Sequence, residues 1–266
     1  MSMDPALFAV LKVWLLALLY ASVRLQIALV IIPLFSSSVM PGLVRIAVGV
    51  GLSLLMVPPL QATLAAGPPP DTLLIGATVA KEALLGLFIG YSIAVLFWAI
   101  EAIGFFIDNQ RGASIASTLN PLTGNDTSPL GILFNQAFIV YFMVAGGFTV
   151  FMSVVYQSFK LWPVTTYFPV LTPGGIPVFA DMFVGLLRLA LLLSAPAIVA
   201  MLLAELGLAL VSRFAPQLQV FFLAMPVKSG LALFVLVVYL PTLFDYIRTE
   251  IGRLPGVLEL LSRGLG

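Results

Sequence analysis

Residues 71–107 read DTLLIGATVAKEALLGLFIGYSIAVLFWAIEAIGFFI. Asp71-Thr72 caps the run, and an apolar stretch then continues to Ile107. Such a run is far longer than the roughly 20 residues a helix needs to cross a bilayer. Only Lys81, Glu82 and Glu101 interrupt its apolar character. The chain therefore reads as built from membrane-type helices.

Working outward, five further apolar stretches appear. Ala6–Phe35 follows Asp4-Pro5, a carboxylate N-cap with proline at the first helical position. At about 30 residues it would measure on the order of 45 Å as a helix. Leu43–Ala66 ends in Gly67-Pro68-Pro69-Pro70, which cannot continue a helix. Gly131–Phe159 carries Gly146-Gly147 inside it; Asp181–Phe214 and Leu218–Tyr239 complete the set. The tail, Pro241 to Gly266, places Phe244, Ile247, Ile251 and Leu254 at helical spacing, which predicts a short amphipathic helix. The expected fold is all-α, with about six long hydrophobic helices in one domain, 1–266. A polar loop is expected over 107–130, between the third and fourth stretches.

Composition agrees. The 266 residues are 61% hydrophobic and 9% charged, against about a quarter charged in a soluble domain. A single soluble core of this size could not hide so much apolar surface. There is no His and no Cys, which removes imidazole bases, thiol nucleophiles, disulfides, zinc fingers and iron–sulfur ligation. No cofactor or metal set is expected. A net charge of +1 offers no field for nucleic acid. Orientation stays open: Lys160, Arg248, Arg253 and Arg263 fall on one side and Arg45, Arg111 and Arg213 on the other. The first stretch is too long for a signal peptide and holds Lys12 and Arg24.

Ionisable groups within membrane helices cost several kcal/mol unless paired or hydrated. Here they include Lys12, Arg24, Lys81, Glu82, Glu101, Arg188, Glu205 and Lys228. Structural pairing between helices, or between chains, outweighs a wet pathway about two to one for each. Lys81 and Glu82 point about 100° apart and so should need different partners. Gly86 and Gly90 form a small-xxx-small pair, a weak packing signal. Asp108 and Asp126 fit turn or helix caps. No nucleophile elbow, Walker loop or paired catalytic carboxylates appear.

Two segments carry a family resemblance. The first is GFFIDNQRGAS at 104–114, continued by Asn120-Pro121-Leu122-Thr123-Gly124, then Ser128-Pro129-Leu130-Gly131 and Gln136. The second is RFAPQLQVFF at 213–222, followed by Met225-Pro226-Val227-Lys228-Ser229. Together they resemble the SctT/FliR family of bacterial type III secretion export-apparatus membrane proteins. The IDNQRG and MPVKS wording resembles the virulence (injectisome) branch more than the flagellar one. Gln219 stands where the family often has Asn. The resemblance covers essentially the whole chain.

It implies a non-enzymatic subunit, one copy, in a helical hetero-oligomeric export gate. Its helices would be arranged as hairpins beside SctR-like and SctS-like subunits and an SctU-like switch protein, in the bacterial inner membrane. The substrates would be unfolded secreted proteins. By this reading residues from about Phe105 to Gly124 form a plug. Phe105, Phe106 and Ile107 would seal by dewetting, Asp108, Asn109, Gln110 and Arg111 would supply polarity, and Gly112 a turn. Lys81, Glu82, Glu101, Arg188, Glu205, Arg213, Gln217, Gln219 and Lys228 would make inter-helix or inter-subunit contacts. Lys228, in a Pro-Lys element like that of SctS, would face a neighbour. The competing reading is a secondary transporter or ion channel for a small solute, using Lys81, Glu101, Arg188, Glu205 and Lys228. Transporters usually show paired halves with broken helices, and no such pairing is found here. An intramembrane enzyme is disfavoured by the missing His and Cys.

Overall fold

The computed structural model describes residues 5–36, 39–68, 70–112, 128–166, 175–214 and 220–265. Nine α-helices are described and no strand is found among these residues. They are α1 (Pro5–Ile31), α2 (Gly42–Ser53), α3 (Val57–Ala65), α4 (Thr72–Arg111), α5 (Pro129–Val144), α6 (Gly147–Leu161), α7 (Gly175–Phe214), α8 (Val220–Arg253) and α9 (Val257–Leu265). Five spans pass by length and apolarity: Leu7–Ile31, Gly42–Ala65, Thr72–Arg111, Pro177–Phe214 and Leu223–Ser262. The broken pair α5 and α6 makes a sixth if counted as one. The protein is an all-α, membrane-embedded chain. At 40 residues, α4 is about 60 Å long, twice the hydrocarbon thickness of a bilayer. A helix of that length has to tilt strongly or project.

The chain divides into two compact units. One takes Met1–Ala94, Gly146–Asp181 and Arg253–Gly266. Here α1 packs on α2 and α3, with Ala17, Tyr20, Ala21, Val57, Leu60 and Val164 in one buried cluster. Gly86 and Gly90 of α4 lie against the backbone of α1 at Arg24 and Ala28; a Cβ on Gly90 would come within 2.9 Å of Ala28 Cα. The small-xxx-small pair is thus a true backbone contact. In lipid such packing replaces the hydrophobic drive that water would supply. The leucines and phenylalanines left exposed, such as Leu7, Phe8, Leu11 and Leu15 on α1, suit the same solvent.

The second unit takes Val95–Ala145 and Met182–Gly252. Its α4 portion and α5 share an aromatic cluster, Phe97, Phe138 and Phe142, with ring centroids 4.6 to 5.8 Å apart. Tyr141 of α5 meets Phe244 of α8 at 5.0 Å.

Several boundaries differ from the sequence reading: the first stretch ends its α-helix at Ile31, the second is broken between Ser53 and Val57, the fifth begins at Gly175, and three more have a clear physical cause. The third stretch was expected to stop at Ile107, but α4 runs to Arg111 because Asp108 is taken up inside the fold. The fourth stretch breaks at Gly146, whose φ of +80° is left-handed and costs a residue without Cβ little. The sixth stretch does not end at Tyr239: α8 continues through Pro241 to Arg253. An internal proline removes one backbone bond, which membrane helices tolerate. The expected tail helix is therefore largely the end of α8, with Ile247, Ile251 and Leu254 buried and α9 following a short turn. Asp71 does cap α4, its carboxylate accepting from Thr72 N–H at 2.7 Å. Asp4 and Asp126 lie outside the described residues.

Candidate functional site

The polar side chains within the helices gather into three groups. The first is in the unit containing α1. Arg24, fully buried, donates from Nε to Glu82 Oε2 at 2.6 Å, from Nη1 to Ser158 Oγ at 2.9 Å, and from Nη2 to the Trp162 carbonyl at 2.9 Å. Its guanidinium carbon lies 3.9 Å from the centroid of the Phe159 ring, a cation–π contact. Lys81 donates all three ammonium protons to backbone carbonyls, of Pro163 at 2.8 Å, Val164 at 2.9 Å and Thr166 at 3.1 Å. It also lies 3.1 Å from Glu82 Oε1, without hydrogen-bond alignment.

Lys81 and Glu82 were expected to need different partners. Their hydrogen bonds do go to different partners, Glu82's to Arg24 and Lys81's to carbonyls of 163–166, although the two side chains also lie 3.1 Å apart. The partners come from this chain. The group holds two cations and one anion, so the carbonyls of 162–166 and the Phe159 ring must offset one uncompensated positive charge. With three Arg24 bonds, all three Lys81 bonds and the Arg24–Glu82 ion pair made within the chain, the arrangement ties α1, α4 and α6 together.

The second group sits where the polar interval begins and ends. Asp108, 3% exposed, accepts from Arg111 Nε at 2.7 Å on one oxygen. Its other oxygen accepts from Ser128 Oγ at 2.6 Å and from Leu130 N–H at 2.9 Å. Ser128 is the N-cap of α5 and accepts from Gly131 N–H at 2.9 Å; Pro129 follows at the first helical position. A carboxylate at this point also meets the positive end of the α5 dipole. Asp108 thus acts as a helix cap from a distance, tying residue 108 to 128–130 and bringing together the two ends of the interval between them. Beside it Gly104 touches the backbone of Leu130 and Gly131, so α4 and α5 cross with no side chain between. Asn135 Nδ2 donates to Glu101 Oε2 at 3.2 Å, while its own Oδ1 is buried without a partner.

The proposed plug residues divide accordingly. Ile107 and Asp108 are buried, whereas Phe105 is 46% exposed and Asn109 is exposed. Phe106, Gln110 and Arg111 are half-buried. All of these are helical, and Gly112 ends the helix with φ +83°. The loop expected from 107 therefore begins only after Arg111. Residues 113–124 of the expected plug lie outside the described residues.

The third group is the Lys228–Glu205 pair between α8 and α7, at 2.9 Å, with Glu205 half exposed. Arg188 and Arg213 are exposed. Gln217 and Gln219 lie outside the described residues. Among the described residues no cluster of three or more acidic side chains is placed to hold a metal. Sequence reasoning missed Arg24 as the hub. Its signal was there, a lone arginine in an apolar helix, whereas Ser158 and the 162–166 carbonyls carry no comparable mark.

Residues 15–254 match the family described as bacterial export proteins, family 1. The chain is 45% identical over 169 residues to Yop proteins translocation protein T of Yersinia pestis, covering 64% of this chain and 65% of the relative. It is 34% identical over 238 residues to secretion system apparatus protein SsaT of Salmonella typhimurium, covering 86% and 88%. The flagellar biosynthetic protein FliR of Bacillus subtilis is more distant, at 30% over 63% of this chain and 65% of its own length.

Proposed function

The chain belongs to bacterial export proteins, family 1, and from that premise we propose that it is a non-enzymatic subunit of a type III secretion export gate. It would sit in the inner membrane beside SctR-like, SctS-like and SctU-like partners and form part of the wall and plug for unfolded secreted proteins. Supporting this, relatives with secretion-apparatus names are more similar than the flagellar one. The buried charges Arg24, Lys81, Glu82 and Asp108 behave as the joints of a mechanical part, each bonded to partners within the chain.

The observation that carries the plug is the Asp108 tie. It holds residue 108 against 128–130, so the two ends of a polar interval meet beside a membrane-length helix. The exposed face of Phe105 and Asn109 leads into that interval. The test is deletion within the interval, from Ala113 to Gly124, leaving Asp108 and Arg111 in place. Ion conductance of the assembled complex should rise. Intact assembly with unchanged conductance would remove the plug role while leaving the wall role standing.

A further inference from the structure

The unit containing α1 holds an apolar cleft of about 640 Å³ between α3 and α6. Met56, Leu60 and Leu64 form one wall, and Met152, Phe159 and Val164 the other. Of all its lining residues only Lys160 is charged, and none is acidic. Lys160 lies in the last turn of α6, is exposed, and makes no ion pair among the described residues. Tyr156, one turn earlier on the same wall, donates its hydroxyl to the Leu52 carbonyl at 3.0 Å. Tyrosine and lysine together are the residues that membrane proteins set at headgroup level.

We propose that this cleft holds an acyl chain of an anionic phospholipid, with the lipid phosphate on Lys160. The cavity falls within the roughly 300–1,000 Å³ of small-molecule sites. The charge argument points the same way. One unmatched cation at the mouth of an apolar slot is complementary to one phosphate above one hydrocarbon chain. Both flanking helices belong to segments long and apolar enough to cross a membrane. The proposal requires only that the chain resides in a bilayer, so it stands or falls apart from the export role.

The test uses the assembled complex reconstituted with equal phosphatidylglycerol and phosphatidylcholine, then read by native mass spectrometry after delipidation. Retained lipid should be enriched in phosphatidylglycerol. Lys160→Gln should lower that enrichment about fivefold, the ~1 kcal/mol expected of one basic residue at an anionic surface. Ser153→Trp, which fills the cleft from an exposed lining position, should reduce retained lipid of both kinds with Lys160 intact. A photo-crosslinking side chain at position 153 should capture lipid. Unchanged retention in both variants, or capture of polypeptide from this chain or a neighbouring subunit, would overturn the assignment.

Discussion

Arg24 and Glu82, 58 residues apart in sequence, meet at 2.6 Å with both side chains fully buried. Because Lys81 shares the same carboxylate residue, neutralising Arg24 and neutralising Glu82 are unequal changes. Arg24→Gln leaves Lys81 and Glu82 as a balanced pair, whereas Glu82→Gln leaves two buried cations with no anion. Breaking a buried pair costs about 3–5 kcal/mol. Glu82→Gln should therefore lower the thermal stability or yield of the assembled protein more than Arg24→Gln does. The reverse order, read by thermal unfolding of the two purified variants, would contradict the charge count.

Gly104→Ala should be costly, because the added methyl meets the backbone of Leu130 and Gly131 rather than a movable side chain. Overpacking of this kind costs about 1–3 kcal/mol. Gly76→Ala on the same helix meets nothing within 4 Å and should be neutral or slightly stabilising. Equal effects of the two changes on thermal stability would place the α4–α5 contact elsewhere.

Asp108→Asn removes the charge behind three hydrogen bonds, two of them at the start of α5 and one to Arg111 at the end of α4. Bonds to a charged group are worth about 1.5–3 kcal/mol each, so the first turn of α5 should open more often. Hydrogen exchange should speed up at the amides of Leu130 and Gly131 and stay unchanged around Arg24. Unaltered exchange at Leu130 would deny Asp108 its capping role.

Lys228→Ala should change the stability of the isolated chain by less than ~1 kcal/mol, since its partner Glu205 is half exposed. Co-purification of neighbouring subunits should nevertheless fall, and Lys228→Arg should restore it. Normal complex yield with lost export would move Lys228 from the subunit contact to the transport path.

The apolar runs could be read directly because a bilayer demands long, nearly uncharged segments, and each run became helical, the second and fourth as two helices apiece. What the sequence hid was which polar residues face inward. Asp108 to Arg111 look like the start of a loop by composition, yet they are the last turn of α4, because the carboxylate points to Ser128 and Leu130. The partners of Arg24 were illegible for a similar reason. They lie 58, 134 and 138 residues away, and one is a backbone carbonyl that no side-chain pattern announces. Pro241 misled in the opposite direction, ending a stretch on paper that α8 passes through.

The Arg24 network also sets an order on biogenesis. Arg24 emerges from the ribosome first, in the last third of the apolar helix α1, where an unpaired arginine is costly in a membrane. Its counter-charge arrives with α4, and the Trp162 carbonyl is made 138 residues after it. At about 5–20 residues per second, that interval is roughly 7–28 s. Throughout it α1 carries an incompletely solvated charge and depends on the translocon, or on water at the bilayer surface, to shelter it. Final seating of the first helix is a late event, timed by the synthesis of α6.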